Sequence, residues 1–215
     1  MINFYAIPAS LYCAKNRICL RHKRMIWTKL PPPGGFGSDL YTSHIPSGTL
    51  PELIDGETTL GDSEVLTEYL EGAYPCFAML PKTINDRAKI RELSRFHDTR
   101  LEPCIRALFA HVPSKEPAQA YLAEHSKLIS QRIKQLETLL QSRPKFNLSL
   151  GDCGFPVTFA WIEALKPVLN LSLTIPNAVQ KYLNWVVSIP AVAEELSQYK
   201  PVLQTWFAVK GARCN

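Results

Sequence analysis

Ser10 stands where a short β-type run, Ile2 to Ile7, ends at Pro8 and a helical pattern begins. A hydroxyl at such a junction can cap the helix. The positive end of the helix also favours any anion brought near it. Cys13 follows one helical turn later. A cysteine near a helix start can be a reactive thiol, and a buried small hydrophobe is the other reading of it. Asp62-Ser63 occupies a second strand-to-helix junction, and Leu50-Pro51 comes just before a strand. Within one small α/β unit, these three places can converge at one end of the sheet. Other patterns carry less chemistry. Ser149-Leu150-Gly151-Asp152 is Ser-x-x-Asp before an apolar run, an acidic variant of the capping box whose weight is in folding. His97-Asp98 has no second histidine at i+4, so no metal site is expected. The stretch from Pro31 to Ser38 holds three prolines and three glycines and must be an irregular loop. It is not a phosphate cradle, because no Gly-Lys-Ser/Thr follows.

The elements that must position these residues alternate through the first 75 or so positions. Strand-like Ile2 to Ile7 precedes a helix from Ser10 to about Arg24, and Met25 to Leu30 is extended again. After the Pro/Gly loop and a short helical stretch at Asp39 to His44, Leu50 to Asp55 and Thr58 to Leu60 read as strands around the turn Asp55-Gly56-Glu57. Ser63 to Tyr74 is predicted helical, with Val65, Leu66, Tyr69 and Leu70 on one face. The order β-α-β, loop, β-β-α implies a mixed sheet. Beyond residue 85 strand signals stop. Helices are predicted over 86–111 (kinked by Pro103), 116–141, 150–165, 177–187 and 191–198. The fold class is therefore an α/β N-terminal domain, residues 1–78, followed by an all-α domain, residues 84–215.

Composition narrows the partners. The 215 residues carry 24 basic and 19 acidic side chains, a net charge of +5, with 46% hydrophobic and 20% charged residues. That is a globular mix able to build a core. The densest basic patch, Arg21-His22-Lys23-Arg24 followed by Lys29, reads as a solvated helix end rather than a nucleic-acid surface, since no aromatic interleaving accompanies it. No run of about 18 apolar residues suggests a membrane span, and the N-terminus lacks the basic start of a secretory signal. The six cysteines are scattered and form no Cys-x-x-Cys. Reduced thiols and a cytoplasmic location are the simplest account.

Taken in order, these pieces resemble the cytosolic glutathione transferase superfamily, whose members join a thioredoxin-like domain to a helical one. The resemblance rests on Phe4 to Cys13, on Pro46 to Gly56, on Leu60-Gly61-Asp62-Ser63 with Glu68-Tyr69-Leu70 and Tyr74-Pro75, and on the Ser149 to Asp152 cap. Pro8-Ala9-Ser10 looks most like the phi class, and delta and theta members share an activating serine.

The resemblance implies a glutathione S-transferase with glutathione as co-substrate and no metal. It is expected to conjugate the tripeptide to a small, largely apolar electrophile, a detoxifying reaction, as a two-fold homodimer. Ser10 becomes the catalytic residue. A free thiol has a pKa of about 8.5, and a hydroxyl donor beside a helix N-terminus would favour the thiolate. Leu50-Pro51 matches the family's cis-proline step, which would turn the Leu50 backbone toward the cysteinyl part of glutathione. Asp62 suits the γ-glutamyl ammonium, and Ser63 with the helix-start amides suits its carboxylate. Thr49 stands where many members have Lys or Gln, as in delta-like members. The cation for the glycine carboxylate is therefore left open among His44, Lys29 and the Gly34–Gly37 loop. The second-substrate pocket is expected between the domains, on Leu11, Tyr12, Arg100, Cys104 and Leu108; Arg100 or Arg106 could favour an anionic substrate, but solvated charges on the outer face are the preferred reading of the two. Tyr5 and Tyr12 are lesser candidates for hydrogen bonding the sulfur. Two alternatives stay open: a glutathione-dependent thiol transferase or lyase working through Cys13, and a non-enzymatic binding module on the same scaffold.

Overall fold

The computed structural model describes residues 1–112 and 119–212. The chain opens with β1 (Ile2–Tyr5), α1 (Leu11–His22), β2 (Trp27–Leu30), α2 (Asp39–His44), β3 (Glu52–Asp55), β4 (Thr58–Gly61) and α3 (Ser63–Ala73). The sheet order is β2-β1-β3-β4. β1 runs parallel to β2 and antiparallel to β3, and β3 is antiparallel to β4. This is the thioredoxin-like arrangement expected from the motif order. Phe4 and Leu53 face each other in register and are fully buried, together with Ile18 of α1 and Leu66 and Leu70 of α3. Burial of such side chains contributes about 1.5–3 kcal/mol each. Val65, read as part of that buried face, is instead exposed. Leu66 and Leu70 are four apart and point inward together, which turns Val65 to the rim.

The basic patch differs from its sequence reading. Lys23 is buried, its Nζ 2.6 Å from Glu71 Oε2 and 2.8 Å from the Tyr74 carbonyl. Arg21 reaches Glu195 Oε2 at 3.1 Å. These cations fasten α1 to its surroundings rather than facing water.

The remainder is helical: α4 (Ile84–Phe96), a π turn (His97–Leu101), α5 (Glu102–Arg106), a 3-10 turn (Phe109–His111), α6 (Gln119–Gln141), a 3-10 turn (Leu150–Asp152), α7 (Phe155–Val168), α8 (Asn177–Val187) and α9 (Pro190–Val209). The break expected at Pro103 is taken up in the turn before it. Proline cannot donate to the carbonyl four residues back and crowds it, so the chain widens into the π turn. Residues 116–118 of the predicted second helix lie outside the described residues.

The helix predicted over 150–165 is two elements. Ser149 caps only the 3-10 turn, and α7 starts at Phe155 with Pro156 in its first turn, where a missing N–H is tolerated. Asp152 Oδ2 accepts from the Ser149 amide at 2.8 Å, and it also pairs with Arg143 at 2.6 Å. Its other oxygen takes the Tyr182 hydroxyl at 2.8 Å. The capping carboxylate thus ties three segments together. α9 runs past the expected stop at residue 198, through Pro201, because Leu203 and Phe207 beyond it are buried.

Candidate functional site

A cleft of about 520 Å³ lies between the sheet's C-terminal edge and the helical part. Three junctions of the α/β part meet there, supplying Ser10, Leu50 and Asp62-Ser63.

Ser10 is the N-cap of α1. Its Oγ accepts from the Cys13 amide at 3.2 Å. Capping uses one lone pair, and among the described residues no acceptor takes the hydroxyl proton, so that donor is free toward the cleft. The segment before it is held from the far end of the chain. The Trp161 indole donates to the Tyr199 hydroxyl at 2.8 Å, and that hydroxyl donates to the Ala9 carbonyl at 2.7 Å.

The Leu50-Pro51 peptide bond is cis. Tyr41 donates to the Thr49 carbonyl at 2.7 Å. Neither the N–H nor the C=O of Leu50 has a protein partner among the described residues, although Leu50 lines the cleft. Unpaired main-chain groups beside an apolar side chain are an edge ready to receive another strand. Thr49 also lines the cleft, its Oγ1 2.8 Å from Ser47 Oγ.

Asp62 caps α3 through Oδ1, which accepts from the amides of Glu64 and Val65 at 2.9 and 3.2 Å. Its φ is +74°, a conformation costly for any side chain but glycine's. Ser63 is 6% exposed, and its hydroxyl makes no hydrogen bond within the described residues. This end therefore offers a carboxylate, a hydroxyl and a helix N-terminus side by side.

Cys13 points the other way. It is 0% exposed, and burial raises its thiol. A nucleophilic cysteine needs access and a lowered pKa, and Cys13 has neither. Tyr12 lines the cleft, but its hydroxyl donates to Glu102 Oε2 at 2.8 Å; burial and that carboxylate raise its pKa. Tyr5 does not line the cleft.

On the helical side the sequence reading needs correction. Leu11 and Tyr12 line the cleft, whereas Arg100, Cys104 and Leu108 do not. Arg100 faces solvent, Leu108 is in the core, and the Cys104 thiol donates to the Arg100 carbonyl at 3.1 Å. The residues that reach the cleft are Arg95, Asp98, Arg106 and Phe109, with Trp161 of α7 and Trp206 of α9. Positions 95, 98, 106 and 109 keep three- and four-residue steps through Glu102. Following that polar stripe, rather than the apolar one, would have found the wall. Trp161 and Trp206 carry no local signal, because α7 and α9 reach the cleft only through packing. Phe36, at the tip of the Pro/Gly loop, lines it from the α/β side. Lys29 faces a separate small cavity with Arg17 and Glu195, and His44 is exposed on α2 outside the cleft.

Beneath the cleft lies a buried charge network. Lys15 Nζ meets Glu64 Oε2 at 2.6 Å and Asp98 Oδ2 at 2.8 Å. His97 Nδ1 is 2.7 Å from Asp98 Oδ1, and its Nε2 is 2.7 Å from Thr158 Oγ1. An ionised Asp98 only accepts, so the Nδ1 of His97 carries a proton toward it. Burial alone would raise the Asp98 carboxyl, but the His97 hydrogen bond and the Lys15 ammonium bring it down to about 2.

Comparison with known proteins agrees with this geometry. Residues 4–82 match the family model for the glutathione S-transferase N-terminal domain. Glutathione S-transferase Z2 of Arabidopsis thaliana is 31% identical over 151 residues, covering 65% of this chain and 68% of that protein. A stringent starvation protein A homolog from Pasteurella multocida is 26% identical over 157 residues, covering 71% of each chain. A delta-class glutathione transferase from Nilaparvata lugens superposes with a TM-score of 0.78 at 17% identity, covering 98% of this chain and 100% of that one. The structural likeness speaks for the fold, and the sequence matches for descent: the chain belongs to the glutathione S-transferase family.

Proposed function

We propose that this protein is a glutathione transferase in which Ser10 holds the glutathione sulfur as a thiolate for attack on a small, largely apolar electrophile. Residues 1–78 would bind the tripeptide, and residues 84–215 would hold the second substrate. One observation carries the reading: the uncommitted Ser10 hydroxyl shares a cleft with the unpaired Leu50 backbone and the partnerless Ser63 hydroxyl.

Each donor and acceptor suits a part of glutathione. The Leu50 N–H and C=O would pair with the cysteinyl main chain as an added strand, along an edge shaped by Thr49 and Pro51. The hydroxyl and amide of Ser63, at the start of α3, would take the γ-glutamyl carboxylate, and Asp62 its ammonium. The sulfur would then receive the Ser10 O–H at the positive end of α1. The first unit by which the thiol pKa falls below its usual value of about 8.5 raises the thiolate fraction at pH 7 roughly eightfold, and the gain levels off as the pKa nears 7. The thiol proton leaves to water. The sulfur lone pair forms the new carbon–sulfur bond, and with a haloarene the halide departs with its bonding electrons. Holding the two reactants in one cleft removes the entropic cost of their encounter.

The test compares wild type with Ser10→Ala, using a chlorodinitrobenzene acceptor and the pH profile of kcat/KM. Ser10→Ala should lower kcat/KM at pH 7 by roughly tenfold or more and shift the profile's acidic limb upward. Equal activity would remove Ser10 from the reaction. The burial of Cys13 disfavours the thiol-transferase alternative. The stringent starvation relative, whose name assigns no transfer reaction, keeps a binding-module reading in view. Failure to stay on immobilised glutathione, with no thermal shift at millimolar glutathione, would favour that reading. A two-fold dimer suits the exposure of Val65 on α3 and Ile84 at the start of α4. A cytoplasmic location suits five unpaired cysteines among the described residues.

A further inference from the structure

The helical wall of the cleft is sorted by charge. Arg95 and Arg106 line it with side chains 54% and 51% exposed. Their acidic partners are withdrawn: Asp98 is 8% exposed and Glu102 only 2%. Arg106 Nη2 meets Glu102 Oε1 at 2.5 Å, which leaves the other guanidinium donors facing outward. The guanidinium lies over the Tyr12 ring, 5.1 Å from its centroid, so the group is fixed rather than waving in solvent. The charge most exposed on this wall is therefore positive, and the Asp98 carboxylate that shares it is largely withdrawn.

Beside these cations the wall is aromatic. Phe109 and Trp161 have centroids 4.2 Å apart, Trp161 and Trp206 4.9 Å, and Phe109 and Trp206 5.5 Å. Phe36 approaches from the loop side. It is flanked by Gly35 and Gly37 with φ of +92° and +79°, conformations that let a large ring stand at a loop tip. Flat rings on two sides select a flat ligand, and a guanidinium at the edge selects an anionic substituent.

We propose that the second substrate is a planar aromatic electrophile carrying an anionic group, its ring against Phe109 and Trp206 and its carboxylate or equivalent on Arg106. The inference rests on reading the cleft as the meeting place of glutathione and its acceptor, but its test needs neither glutathione nor turnover. The probes are 3,5-dinitrobenzoate and its uncharged methyl ester, titrated into the glutathione-free protein and followed by quenching of tryptophan fluorescence. Wild type should bind the acid roughly tenfold tighter than the ester at low ionic strength, with the gap narrowing as salt is added. Arg106→Gln should remove that gap by weakening the acid alone, and Arg106→Lys should restore part of it. Trp206→Leu should weaken both probes. Equal binding of acid and ester to wild type would overturn the proposal, as would an Arg106→Gln variant that loses both probes equally. A glutathione titration by thermal shift on the same samples separates this outcome from failure of the glutathione reading itself. Arg106→Gln should leave that titration unchanged.

Discussion

Replacing Lys15 by Met keeps the stem of the side chain and deletes one buried charge. The Lys15 ammonium is 1% exposed and joins α1 to α3 through Glu64 and to the helical part through Asp98. With it gone, two carboxylates face one buried site where the half-exposed Arg95, 3.7 Å from Asp98, is a distant cation, and Ser94, whose hydroxyl donates to Glu64 at 2.7 Å, cannot replace the ammonium. Breaking a buried pair in this way costs about 3–5 kcal/mol. At about 2–4 °C per kcal/mol for a chain of this size, the melting temperature should fall by roughly 10 °C. The pH dependence identifies the cause. The Asp98 carboxyl is held at about 2 against an ordinary value of 3.8. A depressed carboxyl stabilises the fold above its unfolded pKa and loses that contribution as pH falls through the folded one. Asp98 thus contributes roughly 2 kcal/mol above pH 4, fading toward pH 2. Without Lys15 the share of that depression owed to its ammonium disappears, while the His97 hydrogen bond keeps its own, so the gap between wild type and variant should shrink on acidification. Urea unfolding at pH 7, 5 and 3, followed by circular dichroism, measures it without adding salt. A gap under about 1 kcal/mol at pH 7, or one that stays constant with pH, would refute the charge argument.

Gly154→Ala should destabilise the protein by about 3 kcal/mol, because the added methyl would collide with the His97 ring and push it off Asp98 and Thr158. A change in melting temperature below about 2 °C would show that the ring can move aside without cost. Among the described cysteines, maleimide should modify exposed Cys76 first and partly exposed Cys104 next, while Cys13, Cys19 and Cys153 react only on unfolding. Mass spectrometry of the native protein that found Cys13 labelled as fast as Cys76 would contradict its burial.

The local order of the N-terminal half was legible from residues 2 to 74. Each strand-to-helix junction is written in short-range chemistry: Pro8 before a serine cap, Pro51 before β3, and Asp62-Ser63 at a turn. Those cues act within four residues, so reading along the chain finds them. The second wall of the cleft was not legible in the same way. Apolar periodicity picked out Leu101, Cys104 and Leu108, the stripe nearer the core, while the cleft uses the charged stripe beside it. The π turn and the reach of α9 past Pro201 come from packing between distant segments, and so does the link from Trp161 through Tyr199 to the Ala9 carbonyl. Sequence alone therefore determined which groups stand at the strand-to-helix junctions that meet in the cleft, because caps and turns depend on neighbours in the chain. Only the tertiary structure decided which side chains face them across the cleft, because that depends on how helices nearly two hundred residues away settle against α1 to bury their apolar faces.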